Sequence, residues 1–356
     1  MADYSQYQGP SAEWVEFTKT TVVPATGPAP GQSIEDYQKA ANAGREKASA
    51  LSMEKLGLRT KVSQKDFQVP TRDGQSVRAR LYRPADVPSE ERLPLYIFFH
   101  GGGYFFGTLD SEDARCCRIA LACRITVLNV CYRHTPHFKY PTQHHDAWDS
   151  FEWANQHLAD LGAQEGQLIV GGISSGGSLA AATMLREYQS SVECRLRGQV
   201  LCIPSLCPTE LFPFDQLASK EISSFHQNAD APILPRAQRD LFFNMFAAKE
   251  YSELPYSMYA MQKMDLSKLP KSAFLVAGMD ALRDEALLYA EQLQACGVPT
   301  DVHIFPGVPH GFHRYEELSA TRRWDEVVNK SIKWILSDVK EAPSANGRRR
   351  TFKVES

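Results

Sequence analysis

The sequence lacks the features that mark membrane-inserted, nucleic-acid-binding and zinc-binding proteins. No run approaches the roughly 18 apolar residues of a membrane helix, and the polar residues 1–9 have neither region of a secretory signal. The net charge is −3 with both signs spread along the chain, so no broad positive field attracts nucleic acid. Neither Cys-x-x-Cys nor His-x-x-x-His occurs, which leaves a zinc site without support. We expect a cytoplasmic protein with no cofactor, no nucleic-acid partner and no stable membrane insertion.

What the sequence contains is typical of a large folded domain. Of the 356 residues, 43% are hydrophobic and 23% are charged. Such a chain accommodates one core domain with a smaller subdomain, because single cores stop growing at roughly 250 to 300 residues. Several of the eight cysteines lie in apolar runs, and without a secretory signal free thiols are favoured over disulfides.

The hydrophobic pattern predicts an α/β fold with a doubly wound, mostly parallel sheet. Ser33 is typical of an N-cap before a helix over 34–56, and Asp73-Gly74 predicts a hairpin between 65–70 and 76–82. Apolar runs then alternate with helical stretches, which is typical of parallel strands buried on both faces. The predicted strands are 95–99, 125–130, 168–172, 200–203, 273–277 and 302–305. The predicted helices are 110–123, 143–161, 176–188, 284–296 and 315–337.

The alternation of strands and helices is interrupted between residues 207 and 270. This interval contains a helical stretch over 235–248 but no core strand, so it is interpreted as an insertion over the sheet. The core is therefore predicted to comprise 61–206 and 271–340. Residues 1–60 form an accessory N-terminal segment before the core. The polar residues 341–356, which include three consecutive arginines, are expected to be a flexible C-terminal tail.

A candidate nucleophile lies between a predicted strand and a predicted helix. The segment Gly172-Ile173-Ser174-Ser175-Gly176 has the Gly-x-Ser-x-Gly pattern, whose glycines let the chain turn sharply around an exposed serine. Alone this pattern is weak, because glycine-rich turns also bind phosphates and dinucleotides. The sequence has neither a P-loop motif nor a Gly-x-Gly-x-x-Gly after its first parallel strand, which favours Ser174 as a nucleophile.

A second glycine-rich segment, His100-Gly101-Gly102-Gly103-Tyr104, follows the predicted strand 95–99. Acyl transfer places negative charge on a carbonyl oxygen, and glycines let backbone N–H groups approach that oxygen closely. We predict an oxyanion hole formed by the amides of Gly102, Gly103 and Ser175. The alternative is a flexible loop without function. His100 is interpreted as a residue that braces the loop.

A catalytic serine needs a base and an acid that orients the base. His310 follows the strand 302–305 and is the candidate base, whereas His313 is interpreted as a residue at the rim of the site. Asp280 follows the strand 273–277 and is favoured as the acid over Asp284, which is expected to begin the next helix. The order Ser174, Asp280, His310 is that of the α/β-hydrolase fold.

With these motifs in place, the chain resembles the hormone-sensitive-lipase-like esterases, also described as the α/β-hydrolase-3 group. The resemblance covers about residues 60–337 and rests on four segments: His100-Gly101-Gly102-Gly103, Gly172-Ile173-Ser174-Ser175-Gly176-Gly177, Asp280-Ala281-Leu282-Arg283-Asp284-Glu285 and His310-Gly311-Phe312. Between the first two, residues 132–136 resemble the Tyr-Arg-Leu-Ala-Pro segment of that family. The sequence departs from the family at Ile173 and Ser175, where the family commonly has Asp or Thr and Ala.

The resemblance implies a helical cap over the site, formed by residues 1–60 and the 207–270 insertion. Aromatic side chains in a cap either line a substrate pocket or pack in the cap's own core, and packing is favoured for any one of them. The candidate pocket residues are Tyr104, Phe105, Phe225, Phe242 and Phe246. His137 stands where the family usually has Glu, and His144 and His145 raise the local density of histidine. These histidines are interpreted as surface residues, while no role is assigned to His134.

The predicted function is hydrolysis of a carboxylic ester through an acyl-enzyme on Ser174. One alternative is that the same site hydrolyses a lactone or amide, or catalyses a cyclisation or elimination in secondary metabolism. Another is a ligand receptor on the hydrolase fold, but such receptors typically lack the catalytic histidine, and His310 is present here. The expected partner is a small-molecule ester or lactone, and the sequence is compatible with a homodimer.

Overall fold

The computed structural model describes residues 1–24, 26–191, 193–247, 264–339 and 352–355. The strands in this part of the chain are β1 (Val62–Pro70), β2 (Ser76–Pro84), β3 (Leu93–Phe99), β4 (Thr126–Cys131), β5 (Ala163–Ile173), β6 (Leu196–Cys202), β7 (Lys271–Met279), β8 (Thr300–Pro309) and β9 (Lys353–Val354). The helices are α1 (Ala12–Thr20), α2 (Ile34–Lys55), α3 (Asp113–Cys123), α4 (Thr142–Gln156), α5 (Ser175–Ser190), α6 (Ser224–Gln227), α7 (Arg236–Phe246), α8 (Arg283–Ala295) and α9 (Ser319–Leu336).

The strands form one sheet in the order β1-β2-β4-β3-β5-β6-β7-β8-β9. β1 and β2 form the predicted hairpin and β2 pairs antiparallel with β4, while the pairs from β4 to β9 are parallel. Alternate side chains of β3 enter opposite cores: Leu95 and Ile97 pack with helices α4, α5 and α8, whereas Tyr96 and Phe98 pack with α3 and α9. The predicted doubly wound α/β fold is therefore confirmed.

Most predicted elements are present, with shifted ends. Helix α2 begins after Ser33, whose hydroxyl accepts a hydrogen bond from the Asp36 N–H as predicted. The predicted helix over 143–161 ends earlier, at Gln156, and the helix predicted from 315 begins at Ser319. The last residue of the predicted 235–248 helix lies outside the described residues, as do residues 249–263 of the insertion. Among the described residues, no helix is long and apolar enough to cross a membrane.

The N-terminal segment and the insertion touch each other and the core. The Ala2 N–H donates to Gln216 O at 2.8 Å, and the Gln8 side chain donates to Gln227 O at 3.3 Å. Ser11 N donates to Gly307 O at 2.9 Å, which attaches the start of α1 to the loop end of β8. These contacts place both segments beside the carboxyl ends of the parallel strands, where ligands bind in α/β sheets.

The C-terminal segment differs from the predicted flexible tail in its described part. β9 pairs in parallel with His303 and Ile304 of β8, so residues 352–355 form the edge of the sheet. Side-chain contacts explain why: the Glu355 carboxylate lies 2.5 Å from both His303 Nδ1 and Arg323 Nε, and Lys353 Nζ lies 2.6 Å from Asp301. The expectation of a flexible tail is therefore wrong for these four residues. Residues 340–351 lie outside the described part.

Candidate active site

Ser174 lies at the turn between β5 and α5 with φ 55° and ψ −118°, a conformation that is costly for a residue with a side chain. The flanking glycines explain how the turn is built. A Cβ at Gly172 would collide with Gly176 O, and a Cβ at Gly176 would collide with Phe99 O. The Ser174 N–H donates to Cys202 O at 2.9 Å, which fixes the turn against β6. This is the geometry that the Gly-x-Ser-x-Gly pattern predicts.

Hydrogen bonds connect Ser174, His310 and Asp280. His310 Nε2 lies 3.1 Å from Ser174 Oγ, and His310 Nδ1 lies 2.7 Å from Asp280 Oδ2. The other carboxylate oxygen, Asp280 Oδ1, accepts from the Leu282 N–H at 2.9 Å. An imidazole that donates from Nδ1 to the carboxylate presents an unprotonated Nε2 to the serine hydroxyl. The arrangement can therefore remove the serine proton.

Asp284, the acid that was not favoured, lies elsewhere. Its carboxylate accepts from Arg283 Nε and from the Ser224 N–H, both at 2.7 Å, so it fastens the insertion helix α6 to the start of α8. Asn228, just beyond α6, donates to Asp280 O at 3.2 Å. The insertion thus supports the backbone of the loop that carries Asp280.

The predicted oxyanion loop approaches its neighbours at the glycines. Gly102 has φ 143° and Gly103 has φ 64°; a Cβ at Gly102 would collide with Phe106 O, and one at Gly103 with the Phe242 ring. Among the described residues, the Gly102 and Gly103 N–H groups have no hydrogen-bond acceptor. Ser175 is the first residue of α5, so its N–H has no acceptor inside the helix. Within the described part of the chain, the three predicted donors therefore have no backbone acceptor.

His100 is buried behind this loop. Its ring stacks on Tyr132 with centroids 4.4 Å apart, and Tyr132 Oη donates to His100 O at 2.8 Å. Burial lowers the pKa of His100 to about 3, so its imidazole is neutral at physiological pH. These contacts fit the predicted role of bracing the loop.

A cavity of about 150 Å³ lies near the nucleophile turn, although neither Ser174 nor His310 lines it. Ser178 and Ser205, whose N–H groups donate to Ser174 O at 3.1 and 3.2 Å, both line it. Its surface is mainly apolar, with hydroxyl, imidazole and guanidinium groups among the aromatic rings. The lining residues are Tyr104, Tyr140, Pro141, His144, His145, Trp148, Ser178, Ala182, Thr183, Arg186, Ser205, Leu206, Cys207, Pro208, Phe243 and Phe246.

Two of the five predicted pocket residues, Tyr104 and Phe246, line this cavity, with their rings stacked 4.3 Å apart. The other three do not. Phe105 and Phe242 pack against each other and against Phe106, and Phe225 packs on Phe212. Their assignment to a substrate pocket therefore stays a prediction, and the ring of the half-buried Phe242 lies directly against Gly103.

The histidines interpreted as peripheral are mostly enclosed. His313 is 2% exposed and stacks on Trp324 at 4.9 Å, so it is not a rim residue. His144 packs against Tyr104, Tyr140 and Phe246, and His145 lines the same cavity. The surface interpretation holds for His137, which is exposed, and is wrong for His144 and His145. His134, to which no role was assigned, packs against His100 and Tyr132.

Buried histidines make the fold sensitive to acid. Burial lowers the pKa of His144 to about 4, below the value of about 6.5 in an unfolded chain. Below pH 6.5 the unfolded chain binds a proton at this histidine more tightly than the folded chain does. The free energy of unfolding therefore falls as the pH is lowered from 6.5 toward 4. We expect His144→Gln to reduce the pH dependence of the unfolding free energy between pH 7 and 5 by up to about 1 kcal/mol per pH unit.

Urea unfolding of the variant and the wild type at several pH values measures this slope. The exposed His137→Gln is the matched control and should leave the slope unchanged. Glu285, whose pKa burial raises, titrates with the opposite sign, but it is present in every variant and cancels in the comparison. Equal slopes for His144→Gln and wild type would contradict the prediction.

No group of three or more His, Cys, Asp or Glu side chains within the described ranges has an arrangement suited to a metal ion. The eight cysteines are free thiols, and burial raises the pKa of several of them, including Cys202 beside the nucleophile turn.

Comparison with known proteins extends these observations. A family model described as the alpha/beta hydrolase fold matches residues 96–314, which is more than half of the chain and includes Ser174, Asp280 and His310. The AB hydrolase superfamily protein B1A11.02 of Schizosaccharomyces pombe is 30% identical over 80% of this chain and 84% of that protein. Esterase LipI of Mycobacterium tuberculosis is 32% identical over 67% of this chain and 72% of that protein.

Among solved structures, an esterase of Pyrobaculum calidifontis superimposes with a TM-score of 0.71 at 29% sequence identity. The alignment covers 92% of this chain and 99% of that one. The family model, the relatives and the structural neighbour agree with the resemblance seen in the sequence. The chain therefore belongs to the hormone-sensitive-lipase-like family of the α/β-hydrolase fold.

Proposed function

We propose that this carboxylic ester hydrolase works through an acyl-enzyme on Ser174, with His310 as general base and acid and Asp280 as its orienting partner. The observation that carries the proposal is the hydrogen-bonded path from Ser174 Oγ through the His310 ring to Asp280 Oδ2, with distances of 3.1 and 2.7 Å. It begins at a serine held in a strained turn, where nucleophiles of this fold are presented. The names of relatives such as LipI, an esterase, support the same reaction class.

The proposed reaction has two halves, acylation and deacylation. His310 Nε2 takes the hydroxyl proton as Ser174 Oγ attacks the ester carbonyl, and the developing oxyanion lies between the amides of Gly102, Gly103 and Ser175. His310 then gives the proton to the leaving alkoxide, which departs as the alcohol. Water enters, His310 removes its proton, and the hydroxide attacks the acyl carbonyl; the bond to Ser174 Oγ then breaks, His310 returns the proton to Ser174, and the carboxylic acid leaves. Asp280 stabilises the imidazolium that forms in each half.

The acyl-enzyme itself is the direct test. We expect p-nitrophenyl acetate, quenched in acid during turnover, to leave a protein heavier by one acetyl group. Peptide mapping should place that group on Ser174 and not on Ser175, the adjacent serine. Turnover without an acetylated serine, or with the group on a histidine or lysine, would contradict the mechanism.

The cavity beside Ser174 is proposed to hold the acyl chain of the substrate. Ala182 lines it from α5 and is buried, so Ala182→Leu would fill part of the 150 Å³ without disturbing Ser174. We expect kcat/KM for p-nitrophenyl butyrate to fall by about tenfold or more, with acetate changed by no more than about twofold, since one methylene in a pocket is worth roughly 10- to 200-fold. Equal losses for both esters would show that the acyl chain binds elsewhere.

The narrower expectations of the sequence, a cytoplasmic location and the capacity to dimerise, remain predictions. So does the choice between an acyclic ester and a lactone as the natural substrate, because both present the same carbonyl to Ser174.

A further inference from the structure

The loop between β3 and α3 depends on contacts with other segments for its conformation. Gly102 O accepts from the N–H groups of Phe105 and Phe106 at 3.0 and 2.9 Å, and this forms one tight turn. The next residue after the glycines, Tyr104, has φ 58°, a left-handed conformation that costs a non-glycine residue of order 1 kcal/mol or more. A second turn, with hydrogen bonds between Thr108 and Ser111, lies further along the loop, but the strained residue at 104 persists only when its surroundings hold it.

One face of helix α2 supplies that support. Residues 38, 42, 45, 46 and 49 are spaced as neighbours on one side of a helix. Gln38 Nε2 donates to Phe105 O and also to Thr135 O, and Asn42 Oδ1 accepts from the Gly107 N–H at 2.9 Å.

The same face continues toward both ends of the loop. Arg45 Nη1 donates to Gly101 O at 3.3 Å, and its guanidinium lies 4.8 Å from the centre of the Phe106 ring. Glu46 accepts from the Thr108 hydroxyl at 2.8 Å, and Ser49 accepts from the Ala114 N–H at 3.2 Å. One face of α2 therefore contacts several backbone groups and one hydroxyl between Gly101 and the start of α3.

We infer that this face of α2 positions the oxyanion hole, with Asn42 and Arg45 as the positioning residues. The two contacts flank the donors: Arg45 holds the carbonyl of Gly101, directly before Gly102, and Asn42 holds the N–H of Gly107, beyond the strained Tyr104. Neither side chain needs to touch the substrate. Each acts by fixing where the Gly102 and Gly103 N–H groups point when charge develops on the carbonyl oxygen.

This inference rests on the proposed function, and it predicts a specific change in the kinetic constants. An oxyanion hole matters most in the transition state, so a displaced hole lowers kcat while substrate binding is retained. A displacement of about 1 Å can cost as much as about 100-fold. A purely structural role of α2 would instead lower the melting temperature and leave kcat unchanged below it.

The test compares alanine substitutions on two faces of α2. Asn42 contacts the loop, whereas Lys47 is exposed on the same helix, so Lys47→Ala is the control for Asn42→Ala. Alanine is the best helix former, so neither substitution weakens α2 itself. We expect Asn42→Ala to lower kcat for p-nitrophenyl acetate at least about tenfold, with KM within about twofold of wild type. Asn42→Asp keeps an acceptor oxygen for the Gly107 N–H and should restore most of the lost kcat.

Affinity for a trifluoromethyl ketone gives a second readout, because this inhibitor forms an oxyanion in the same hole. Its Ki should rise in Asn42→Ala by about the same factor as kcat falls, and further in the double variant Asn42→Ala/Arg45→Met. Should the double variant fail to fold, the single variants and their melting temperatures decide the matter.

Equal kcat and Ki for Asn42→Ala and Lys47→Ala would overturn the inference. So would an Asn42→Asp variant as slow as Asn42→Ala, since the acceptor would then be irrelevant. Failure of the proposed function looks different: the wild type itself would neither hydrolyse the ester nor become acetylated on Ser174.

Discussion

Replacement of Ser174 by alanine is expected to lower kcat for p-nitrophenyl acetate by roughly 10⁴- to 10⁶-fold. The substitution removes the hydroxyl that His310 Nε2 contacts at 3.1 Å, and with it the covalent intermediate. What remains is binding and the three amides of the oxyanion hole, which accelerate attack by water alone. KM should change little, because the cavity and the loop remain in place. Stopped assays at high protein concentration measure the residual rate.

The control for Ser174→Ala is Ser190→Ala, at the exposed far end of α5, where the hydroxyl donates to Arg186 O at 2.7 Å. This variant should keep the activity of the wild type. A fluorophosphonate probe should label wild type and Ser190→Ala, and leave Ser174→Ala unlabelled. An alanine variant at position 174 that retains more than a tenth of the activity would exclude the acyl-enzyme mechanism.

Asp280→Asn is expected to lower kcat by about 10⁴-fold through a change of tautomer. Oδ1 accepts from the Leu282 N–H at 2.9 Å, so the amide of an asparagine would place its oxygen there and its NH₂ toward His310. His310 Nδ1 would then have to accept a hydrogen bond, and the proton would move to Nε2. An Nε2–H cannot accept the proton of Ser174, and the base is lost although the fold is intact.

Asp284→Asn provides the matched comparison, because Asp284 is equally buried but binds Arg283 and the Ser224 N–H. We expect this variant to lose about 1 to 3 kcal/mol of stability by unpairing a buried arginine, with kcat within about threefold of wild type. Chemical denaturation and steady-state kinetics separate the two effects. A similar kcat for both asparagine variants would show that Asp280 does not set the tautomer of His310.

The elements that carry the site were predictable because their signals are local. Strands β5, β7 and β8 each contain a short, mainly apolar run, and Ser174, Asp280 and His310 each follow one of these strands directly. Parallel strands bring their carboxyl ends to one edge of the sheet, so residues distant in sequence meet without any further information. The oxyanion loop was predictable for a similar reason: its backbone needs positive φ at two positions, and glycine, the residue that tolerates positive φ, stands at both.

The cavity was not predictable to the same degree, because its walls come from distant segments. His144 packs on Tyr104, which lies far before it in the chain, and on Phe246, which lies far after it. One signal was nonetheless present: His144 shares its helix face with Ala147, Trp148 and Phe151, all buried, at the spacing of an inward-facing stripe. That periodicity outweighs the general preference of histidine for the surface. No comparable pattern marks His313 or the loop contacts of α2.

The strand β9 has a consequence for how this protein behaves in concentrated solution. A sheet edge with free backbone groups is a template on which further chains can add, and it is the usual starting point of fibrillar aggregation. At one edge, Lys353 and Val354 of β9 pair with His303 and Ile304 of β8. At the opposite edge, β1 presents Lys65 and Asp66 to solvent. One edge therefore ends in a strand of only two residues and the other carries charged side chains, and both features disfavour edge-to-edge growth of the sheet.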